Sequence, residues 1–385
     1  MKEYCLADLI DIKHGFAFDG DHIISEDNGV VLVTPGNFRI GGGFQEEKCK
    51  FFSGEIPAEY VLEPGSYIVT MTDLSKGIDT LGYSAIIPHS AKRIYLHNQR
   101  IGLIRFFSDE CDKDYLYYLM QTRDYQREIA NTSSGATVHH TSPSKICSYR
   151  FLAPDISKQR FIASTLRAYD DLVENNQKQI KLLEEAAQRL YKEWFIDLRF
   201  PGHESTPIVN GIPEGWKAIR LSQIAPILTG KKDANYGTED GKYPFFTCAQ
   251  EPIKAPTYSF DCDAVILAGN GDFNVKLYRG RFEAYQRTYV FSPFDSTFLY
   301  LLYYAVRESM EGLVQGASGS TIKFLTKPML EDIIVYEPTE RIKMLFNAFC
   351  EEKQKKIENL NQQIKLARES RDRLLPKLMS GELEM

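Results

Sequence analysis

Apolar residues recur at alternating steps of four and three along two stretches of the chain. In the first stretch the seam consists of Ile162, Leu166, Tyr169, Val173, Asn176, Ile180, Leu183, Ala187, Leu190 and Trp194. In the second it consists of Phe346, Cys350, Lys353, Ile357, Leu360, Ile364, Ala367, Arg371, Leu374 and Leu378. Such a seam, sustained over several heptads, predicts helices that pack as a coiled coil. A Pro- and Gly-rich stretch at 199–216 separates the two helices, and the simplest pairing is antiparallel.

The two seams belong to an internal repeat with an offset of 184 residues. Ser134–Phe195 aligns without a gap with the later segment, so that Gln179–Leu182 meets Gln363–Leu366. Upstream the match needs gaps, and there Asn98–Arg100 resembles Tyr285–Arg287. A repeat of this length predicts two copies of a whole domain plus a helix, related by a pseudo-two-fold axis.

In the two globular parts, short β-branched or alternating runs predict strands, and two Tyr- and Leu-rich segments predict matching helices. The expected fold class is therefore α+β, with two mixed α/β domains joined by two long helices in an antiparallel coiled coil. The expected boundaries are residues 1–153 for the first domain, 154–200 for the central helix, 201–215 for a linker, 216–337 for the second domain and 338–385 for the C-terminal helix.

Composition and charge narrow the possible functions. The seven cysteines are scattered without a C-x-x-C pair, which predicts reduced thiols rather than disulfides or a zinc site. No signal peptide and no membrane span are expected, so we predict a cytoplasmic protein. The net charge is −6, with 15 basic and 20 acidic residues in 1–153 and 13 basic and 15 acidic residues in 213–337. Neither domain is predicted to hold nucleic acid by bulk electrostatics alone.

Motifs for catalysis are missing from the sequence. It contains no phosphate-binding G-x-x-x-x-G-K-[ST] loop, no dinucleotide fingerprint, no H-E-x-x-H and no Asn-Pro-Pro-aromatic motif. His139-His140 is a weak metal candidate, because neighbours on a strand face opposite ways. Polar loops do occur at equivalent places: TSSGATVHHT against QGASGSTIKF, and TDLSKGIDT against GNGDFNVK. These loops suit contacts to phosphates and base edges, although an ordinary tight turn explains any single residue equally well.

The whole chain resembles the specificity (S) subunits of type I restriction–modification systems. The resemblance rests on PDISKQRFIASTLRAYDDLVENN (154–176), RLYKEWFIDLRFPGHE (189–204), RDRLLPKLMSGEL (371–383) and the repeat. The second helix departs from the pattern, with Lys343 where the first copy has Gln159 and with charged seam residues.

The resemblance implies a non-catalytic subunit with two target-recognition domains, each of which reads one half of a split double-stranded DNA target. The helices would set the spacing and dock two methyltransferase (M) subunits, and restriction (R) subunits would join the assembly. S-adenosylmethionine, ATP and Mg²⁺ would be used by those partners, with no cofactor in this chain. A 33-residue seam spans roughly 50 Å, which corresponds to at most about 15 base pairs.

Candidate DNA-reading residues follow from the polar loops and the repeated Gln-Arg pairs. They are Lys76, Gln99, Arg100, Ser134, Thr137 and His139 in the first domain, and Asn270, Lys276, Gln286, Arg287, Ser318, Thr321 and Lys323 in the second.

An acidic chain also fits another function, that of a coiled-coil scaffold whose two domains bind proteins rather than DNA. Neighbouring methyltransferase and helicase–nuclease genes would distinguish the two interpretations. For a DNA reader, the acidic domains lead us to expect weak binding by the isolated chain, with partner subunits supplying much of the positive charge.

Overall fold

The computed structural model describes residues 1–75, 77–135, 137–319 and 323–383. The chain forms two compact units. The first comprises Met1–Asn175 and Gln363–Met385, and the second comprises Asn176–Gln362. Each unit therefore contains a part of both long helices. None of the helices in these described ranges is both long and apolar enough to cross a membrane.

The first unit contains a five-stranded and a four-stranded sheet. In order across the sheet, the five strands are Ile23–Ile24, Lys50–Phe52, Val30–Val33, Ile94–His97 and Val61–Leu62. The four are Ile10–His14, Ile101–Phe106, Tyr67–Thr70 and Ser84–Ile86. Two further pairs join Lys2–Cys5 to Arg150–Ala153 and Thr72–Asp73 to His139–His140. The α-helices are Lys113–Leu119, Arg123–Asn131 and Pro143–Cys147, and the 3-10 turns are Leu6–Asp8, Gly20–His22, Pro35–Asn37 and Ala58–Tyr60.

The second unit is built around one six-stranded sheet. Its strands in order are Ile227–Thr229, Thr288–Phe291, Phe260–Ala268, Val275–Ala284, Tyr243–Phe246 and Ile253–Ala255. Lys217–Arg220 pairs with Ile334–Glu337, and Ile208–Val209 pairs with Ile212–Pro213. The α-helices are Leu221–Ile224, Leu299–Gln315 and Lys327–Glu331, and the 3-10 turns are His203–Ser205, Ala234–Tyr236 and Ser296–Phe298.

In both units the first and last strands of the globular part pair antiparallel. Lys2 lies opposite Ala153 in the first unit, and Lys217 lies opposite Glu337 in the second. Each globular part therefore begins and ends on the same two-stranded ladder.

The central helix covers Ile156–Tyr191 and continues into a π-helical turn at Lys192–Ile196. The regular helix thus ends before residue 200, and Leu198 adopts a left-handed conformation with φ 55°. The π turn adds a residue to the helical repeat, and Phe195 is fully buried while the predicted seam residue Trp194 is only partly buried. The C-terminal helix covers Glu340–Ser380.

Within each unit, the segments of the two long helices run antiparallel. In the first unit Asp170 of the central helix meets Arg371 of the C-terminal helix, and Leu166 packs with Leu375 and Leu378 in one apolar core. In the second unit the rings of Tyr191 and Phe346 lie 6.0 Å apart. The predicted seam residues are all buried or partly buried: Ile162, Leu166, Val173, Ile180, Leu183, Leu190, Trp194, Phe346, Ile357, Leu360, Ile364, Leu374 and Leu378.

Charged residues in the seam have specific partners. Arg371 Nη1 lies 2.6 Å from Asp170 Oδ1, and Asp170 Oδ2 accepts a hydrogen bond of 2.7 Å from the Tyr118 hydroxyl. The charge of Arg371 is therefore compensated across the helix pair, which explains how a guanidinium fits into an apolar seam.

Lys343 and Gln159, the repeat-related pair that departs from the pattern, are both buried. Gln159 accepts from the Asp112 backbone N–H at 2.9 Å, and Lys343 forms an ion pair of 2.7 Å with Glu340 while lying over the Phe298 ring. Both residues therefore support the start of a Tyr-rich helix, one through hydrogen bonds and the other through charge.

Candidate nucleic-acid interface

Backbone hydrogen bonds bring the predicted polar segments of the first unit together. The Met71 N–H donates to Arg100 O at 2.9 Å, and the Thr141 N–H donates to Met71 O at 3.0 Å. The loop after Tyr67–Thr70, the Asn98–Arg100 turn and the Ser134–Thr141 segment therefore lie side by side. The Gln99 N–H also donates to Phe16 O at 2.9 Å, which adds a fourth segment.

The second unit repeats this set of hydrogen-bonded segments, which we call the frame, bond for bond. The Gly269 N–H donates to Arg287 O at 2.9 Å, and the Leu325 N–H donates to Gly269 O at 2.8 Å. The Gln286 N–H donates to Lys232 O at 3.0 Å, as Gln99 does to Phe16. Two units with different side chains thus hold the same segments in the same arrangement.

A tight turn closes one side of each frame. Ser134 and His140 exchange backbone hydrogen bonds of 3.0 and 2.8 Å, and Ser318 and Phe324 exchange bonds of 3.0 and 2.8 Å. Gly135 has φ +104°, and a Cβ there would lie 2.0 Å from Val138 O. Gly319, its counterpart in the repeat, has φ +105°. Only glycine fits this conformation without strain.

The loop that follows Thr72 is organised by the buried carboxylate of Asp73. Asp73 Oδ2 accepts from the Thr80 hydroxyl at 2.7 Å and from the Leu81 N–H at 3.1 Å, and Oδ1 accepts from the Ser75 N–H at 2.6 Å. Burial alone would raise the pKa of this carboxyl, but the hydrogen bonds from Ser75 and Thr80 hold the pKa below its ordinary value. Asp73 therefore stays ionised and holds Ser75, Thr80 and Leu81 around its carboxylate.

Most of the predicted DNA-reading residues lie on the exposed side of these frames. Gln99, Arg100, Ser134, Thr137, Gln286, Arg287, Ser318 and Lys323 are exposed, and His139, Asn270 and Lys276 are partly buried. Lys76 and Thr321 lie outside the described residues. The frame brings Gln99 and Arg100 beside Ser134 and His139, and brings Gln286 and Arg287 beside Asn270 and Ser318.

Two of the predicted residues tie the Gly269–Lys276 loop to the neighbouring loop at 247–252. The Lys276 ammonium donates to Ala249 O at 2.9 Å and also to the Asn274 side chain. Burial lowers the pKa of Lys276. Asn270 Oδ1 accepts from Cys248 Sγ at 2.8 Å. Both residues thus brace the Gly269–Lys276 loop, which leaves Gln286 and Arg287 as the freer polar groups.

Sequence reasoning missed the fourth segment of each frame. Phe16 is 38% exposed beside Gln99, and Lys232 lies beside Gln286 with its ammonium 4.3 Å from the centre of the Tyr236 ring. The sequence offers only an approximate signal here: Leu6–Ile10 resembles Leu221–Ala225 at an offset of 215, which takes Phe16 to Lys231, one residue short of Lys232.

The two units differ in the length of one loop between neighbouring strands. Sixteen residues separate Val30–Val33 from Lys50–Phe52, whereas six separate Tyr243–Phe246 from Ile253–Ala255. The extra residues of the first unit form the Phe38–Phe44 hairpin, which packs on Ser84, Tyr117 and Gln121. Their counterparts Val275, Tyr303 and Arg307 line an open cavity of about 760 Å³ in the second unit. One framework therefore carries two different surfaces.

The His139-His140 pair has no metal-binding surroundings. His139 pairs with Asp73 and His140 with Thr72 in a short ladder, and His140 Nδ1 lies 3.1 Å from the Thr72 hydroxyl. Across the described part of the chain, no cluster of three or more His, Cys, Asp or Glu side chains is arranged to hold a metal ion. The pair belongs to the frame.

A duplicated frame with two different polar surfaces and a shared helix pair defines a protein with two related recognition units. The family model described as the type I restriction modification DNA specificity domain matches residues 1–185 and 213–365. The chain belongs to this family, which confirms the resemblance found in the sequence and the class of specificity subunit.

Curated relatives carry the same description. The type I restriction enzyme EcoDI specificity subunit of Escherichia coli is 37% identical over 182 residues, which cover 45% of this chain and 39% of that protein. The MjaIX specificity subunit of Methanocaldococcus jannaschii is 28% identical over 334 residues, or 79% of this chain and 76% of that protein. The match therefore spans less than half of the E. coli relative.

A solved structure shares the fold. The S subunit of a type I restriction–modification system from M. genitalium superposes with a TM-score of 0.55, covering 100% of this chain and 96% of that one at 16% identity. This likeness confirms the predicted fold of mixed α/β units with long helices.

Proposed function

We propose that the chain is the specificity subunit of a type I restriction–modification complex and that each unit reads one half of a bipartite DNA target. The observation that carries this proposal is the repeated hydrogen-bonded frame. It holds the same segments in both units while the exposed residues differ, as expected for two readers of unlike sequences. Gln99 and Arg100 face one half-site, and Gln286 and Arg287 face the other. Amide and guanidinium groups suit adenine and guanine edges.

The chemistry belongs to the partner subunits. Two methyltransferase subunits would bring S-adenosylmethionine, and restriction subunits would bring ATP- and Mg²⁺-dependent translocation and cleavage. In this chain, residues 1–153 and 216–337 would determine which DNA sequence is recognised. The helices of 154–200 and 338–385 would set the spacing between the half-sites. The assembled complex is therefore the form in which DNA binding is best measured.

Replacing Gly135 by alanine is expected to impair reading of the first half-site only. The added Cβ would clash with Val138 O and strain the turn that carries Ser134 and Thr137. The measurement is methylation-aware sequencing of DNA from cells that carry the chain with its methyltransferase subunits. The wild type should mark a motif of two half-sites separated by a gap. The variant should relax the first half-site, or methylate the motif at least about tenfold less, the loss expected from about 1.4 kcal/mol of strain.

Gly20→Ala is the matched control, because no atom lies within 4 Å of the Cβ that it would add. It should mark the wild-type motif at the wild-type level. A continuous, undivided motif in the wild type would overturn the bipartite proposal. An unchanged first half-site in the Gly135 variant would show that the turn does not position the reader.

The long helices present exposed apolar residues at repeat-related positions. The first unit exposes Phe161 (52%) and Leu366 (52%), and the second exposes Leu345 (45%) and Leu182 (64%). Phe161 corresponds to Leu345, and Leu182 to Leu366, at the offset of 184. Each unit therefore exposes an apolar side chain at the same two positions of the repeat. This supports the docking of two identical methyltransferase subunits at equivalent sites.

A variant with Phe161→Glu and Leu366→Glu is expected to bind one methyltransferase subunit instead of two. Loss of two buried apolar side chains removes about 3–6 kcal/mol of docking free energy. Native mass spectrometry of the co-expressed complex measures the stoichiometry. Phe107→Glu, at an apolar residue of the first unit that is 62% exposed and lies outside the helices, should keep two subunits. Two bound subunits in the double variant would exclude this docking surface.

A further inference from the structure

The hairpin that only the first unit possesses holds Arg39 in a fixed position. Phe38 bridges Phe44, and the Arg39 N–H donates to Gly43 O at 3.0 Å. The Gly43 N–H donates to Ser84 O at 2.9 Å. Gly42, with φ +93°, approaches Gln121 so closely that a Cβ would lie 2.4 Å from Gln121 Cγ. The hairpin is therefore anchored to the sheet edge and to the Tyr-rich helix.

A series of contacts leads from this hairpin to the C-terminal helix. The Tyr117 hydroxyl lies 3.8 Å from the position of a Cβ on Gly43, and the Tyr117 and Tyr118 rings are 4.9 Å apart. Tyr118 donates to Asp170, which pairs with Arg371. Arg368 lies three residues before Arg371 and so on the same face of the helix. The hairpin that carries Arg39 and the helix face that carries Arg368 and Arg371 therefore both lie near the Tyr-rich helix, and the charges of Arg368 and Arg371 act on Arg39.

The charges in this region are only partly compensated. Arg371 is paired with Asp170 and Asp372. Arg39 and Arg368 are both partly buried, and neither forms an ion pair with any residue that the structure describes. Burial lowers the pKa of Arg39, and the positive charges of Arg368 and Arg371 act in the same direction. Like charges held together in a partly buried place are unfavourable unless an anion joins them.

We propose that Arg39 and Arg368 form a phosphate site that holds a DNA phosphodiester group beside the first half-site. This inference rests on the proposed function. Two guanidinium forks match the oxygen atoms of a phosphate group. The hairpin is anchored at Ser84, which pairs with Val69, two residues before Met71 of the frame, so the hairpin lies near the predicted reading surface. Glu47 offsets part of the charge of Arg39, but neither arginine forms an ion pair with a described residue, so in an acidic domain the two supply local positive charge for a phosphate contact.

The site exists in one unit only. The second unit lacks the hairpin, and the acidic Glu184 takes the place of Arg368 at the repeat offset. The first half-site would therefore gain a backbone contact that the second does not have. Because a phosphate contact carries no sequence information, the site would hold the DNA without changing which bases are read.

The test measures the salt dependence of binding by the complete complex with methyltransferase subunits. The probe is a duplex that contains the mapped target, and the salt range is about 50–200 mM. Arg39→Gln and Arg368→Gln should each lower the slope of log affinity against log salt by about 0.9 and weaken binding roughly fivefold at physiological salt. Duplexes with altered half-sites should lose affinity by the same factor. Arg39→Lys keeps the charge and should retain most of the slope, and Arg373→Gln, an exposed residue of the same helix, should leave it unchanged.

Several results would overturn the proposal. An unchanged slope in a complex that still binds and methylates its bipartite target would exclude the phosphate site while leaving the proposed function intact. Loss of a methyltransferase subunit from the Arg39 and Arg368 variants, with an unchanged slope, would show that the arginines hold a carboxylate of the partner. A lower melting temperature with an unchanged slope would show a structural role only. Failure of the wild-type complex to bind a split target would instead reject the proposed function.

Discussion

Alanine in place of Arg371 is expected to lower the free energy of unfolding of the first unit by about 3 kcal/mol. The substitution leaves Asp170 without its cationic partner between the two helices, where the side chains of Asp170 and Arg371 are 22% and 16% exposed. Tyr118 still donates to Asp170 but cannot neutralise its charge. The apolar seam around Leu375 and Leu378 would then have to accommodate a water molecule or a protonated carboxyl group.

Urea denaturation, monitored by circular dichroism, measures this change in the free energy of unfolding. Hydrogen exchange assigns the change to the first unit. Arg373→Ala is the control, because it removes the same charge from an exposed position on the same helix, and it should change stability by less than about 0.5 kcal/mol. A variant with Asp170→Leu, Arg371→Met and Tyr118→Phe should recover more than half of the loss, because apolar groups then replace the buried ion pair and no buried hydroxyl loses its acceptor. Equal losses in the Arg371 and Arg373 variants would contradict a specific role for the pair.

Acidification from pH 8 to pH 5 is expected to destabilise the first unit through His97 by about 2 kcal/mol. Burial lowers the pKa of His97 to about 4. In the unfolded chain the pKa returns to 6.5, so between these values the unfolded state binds the proton and the folded state does not. The stability is fully present above pH 6.5 and is lost as the pH falls towards 4. His97 directly precedes the Asn98–Arg100 turn and contacts Ile101 O at 2.9 Å through Nε2. Protonation of His97 would therefore also loosen the turn that carries Gln99 and Arg100.

Unfolding free energies of the wild type and of His97→Gln at several pH values test this expectation. Glutamine keeps a side-chain hydrogen-bond donor but does not titrate, so the variant should lose less stability between pH 8 and pH 5. His89→Gln, at an exposed histidine of the same unit, should follow the wild type because that imidazole is not buried. Parallel pH profiles for the wild type and His97→Gln would mean that His97 accepts its proton without unfolding.

The sequence predicted those parts of the structure that depend on periodic patterns. The heptad steps located both long helices, and the offset of 184 located the equivalent turns at Gly135 and Gly319. The repeated Gln-Arg pairs marked one side of each frame, because their backbone bonds are set by the repeated fold. The interpretation of the polar loops as DNA readers stays a prediction.

The parts that sequence could not predict depend on single tertiary contacts. Arg371 looked like a break in the seam, because its partner Asp170 lies 201 residues away. Lys276 was a candidate DNA-reading cation, but its ammonium donates to Ala249 O, 27 residues away in another loop, and to the Asn274 side chain. The Phe38–Phe44 hairpin has no counterpart in the second unit, so a repeat-based alignment treats it as a gap. The π turn at Lys192–Ile196 has no local signature and moves Phe195 rather than Trp194 into the core.

The pairing of the first and last strands has a consequence for how new versions of this protein can arise. Because Lys2 lies opposite Ala153 and Lys217 opposite Glu337, each globular part enters and leaves through one neighbouring pair of strand ends. A gene segment for a different globular part must match the chain at these strand ends and at its contacts with the long helices, such as that of Tyr118 with Asp170. If each unit reads one half-site, as proposed, recombination between related genes could exchange one half of a target while the helices stay unchanged.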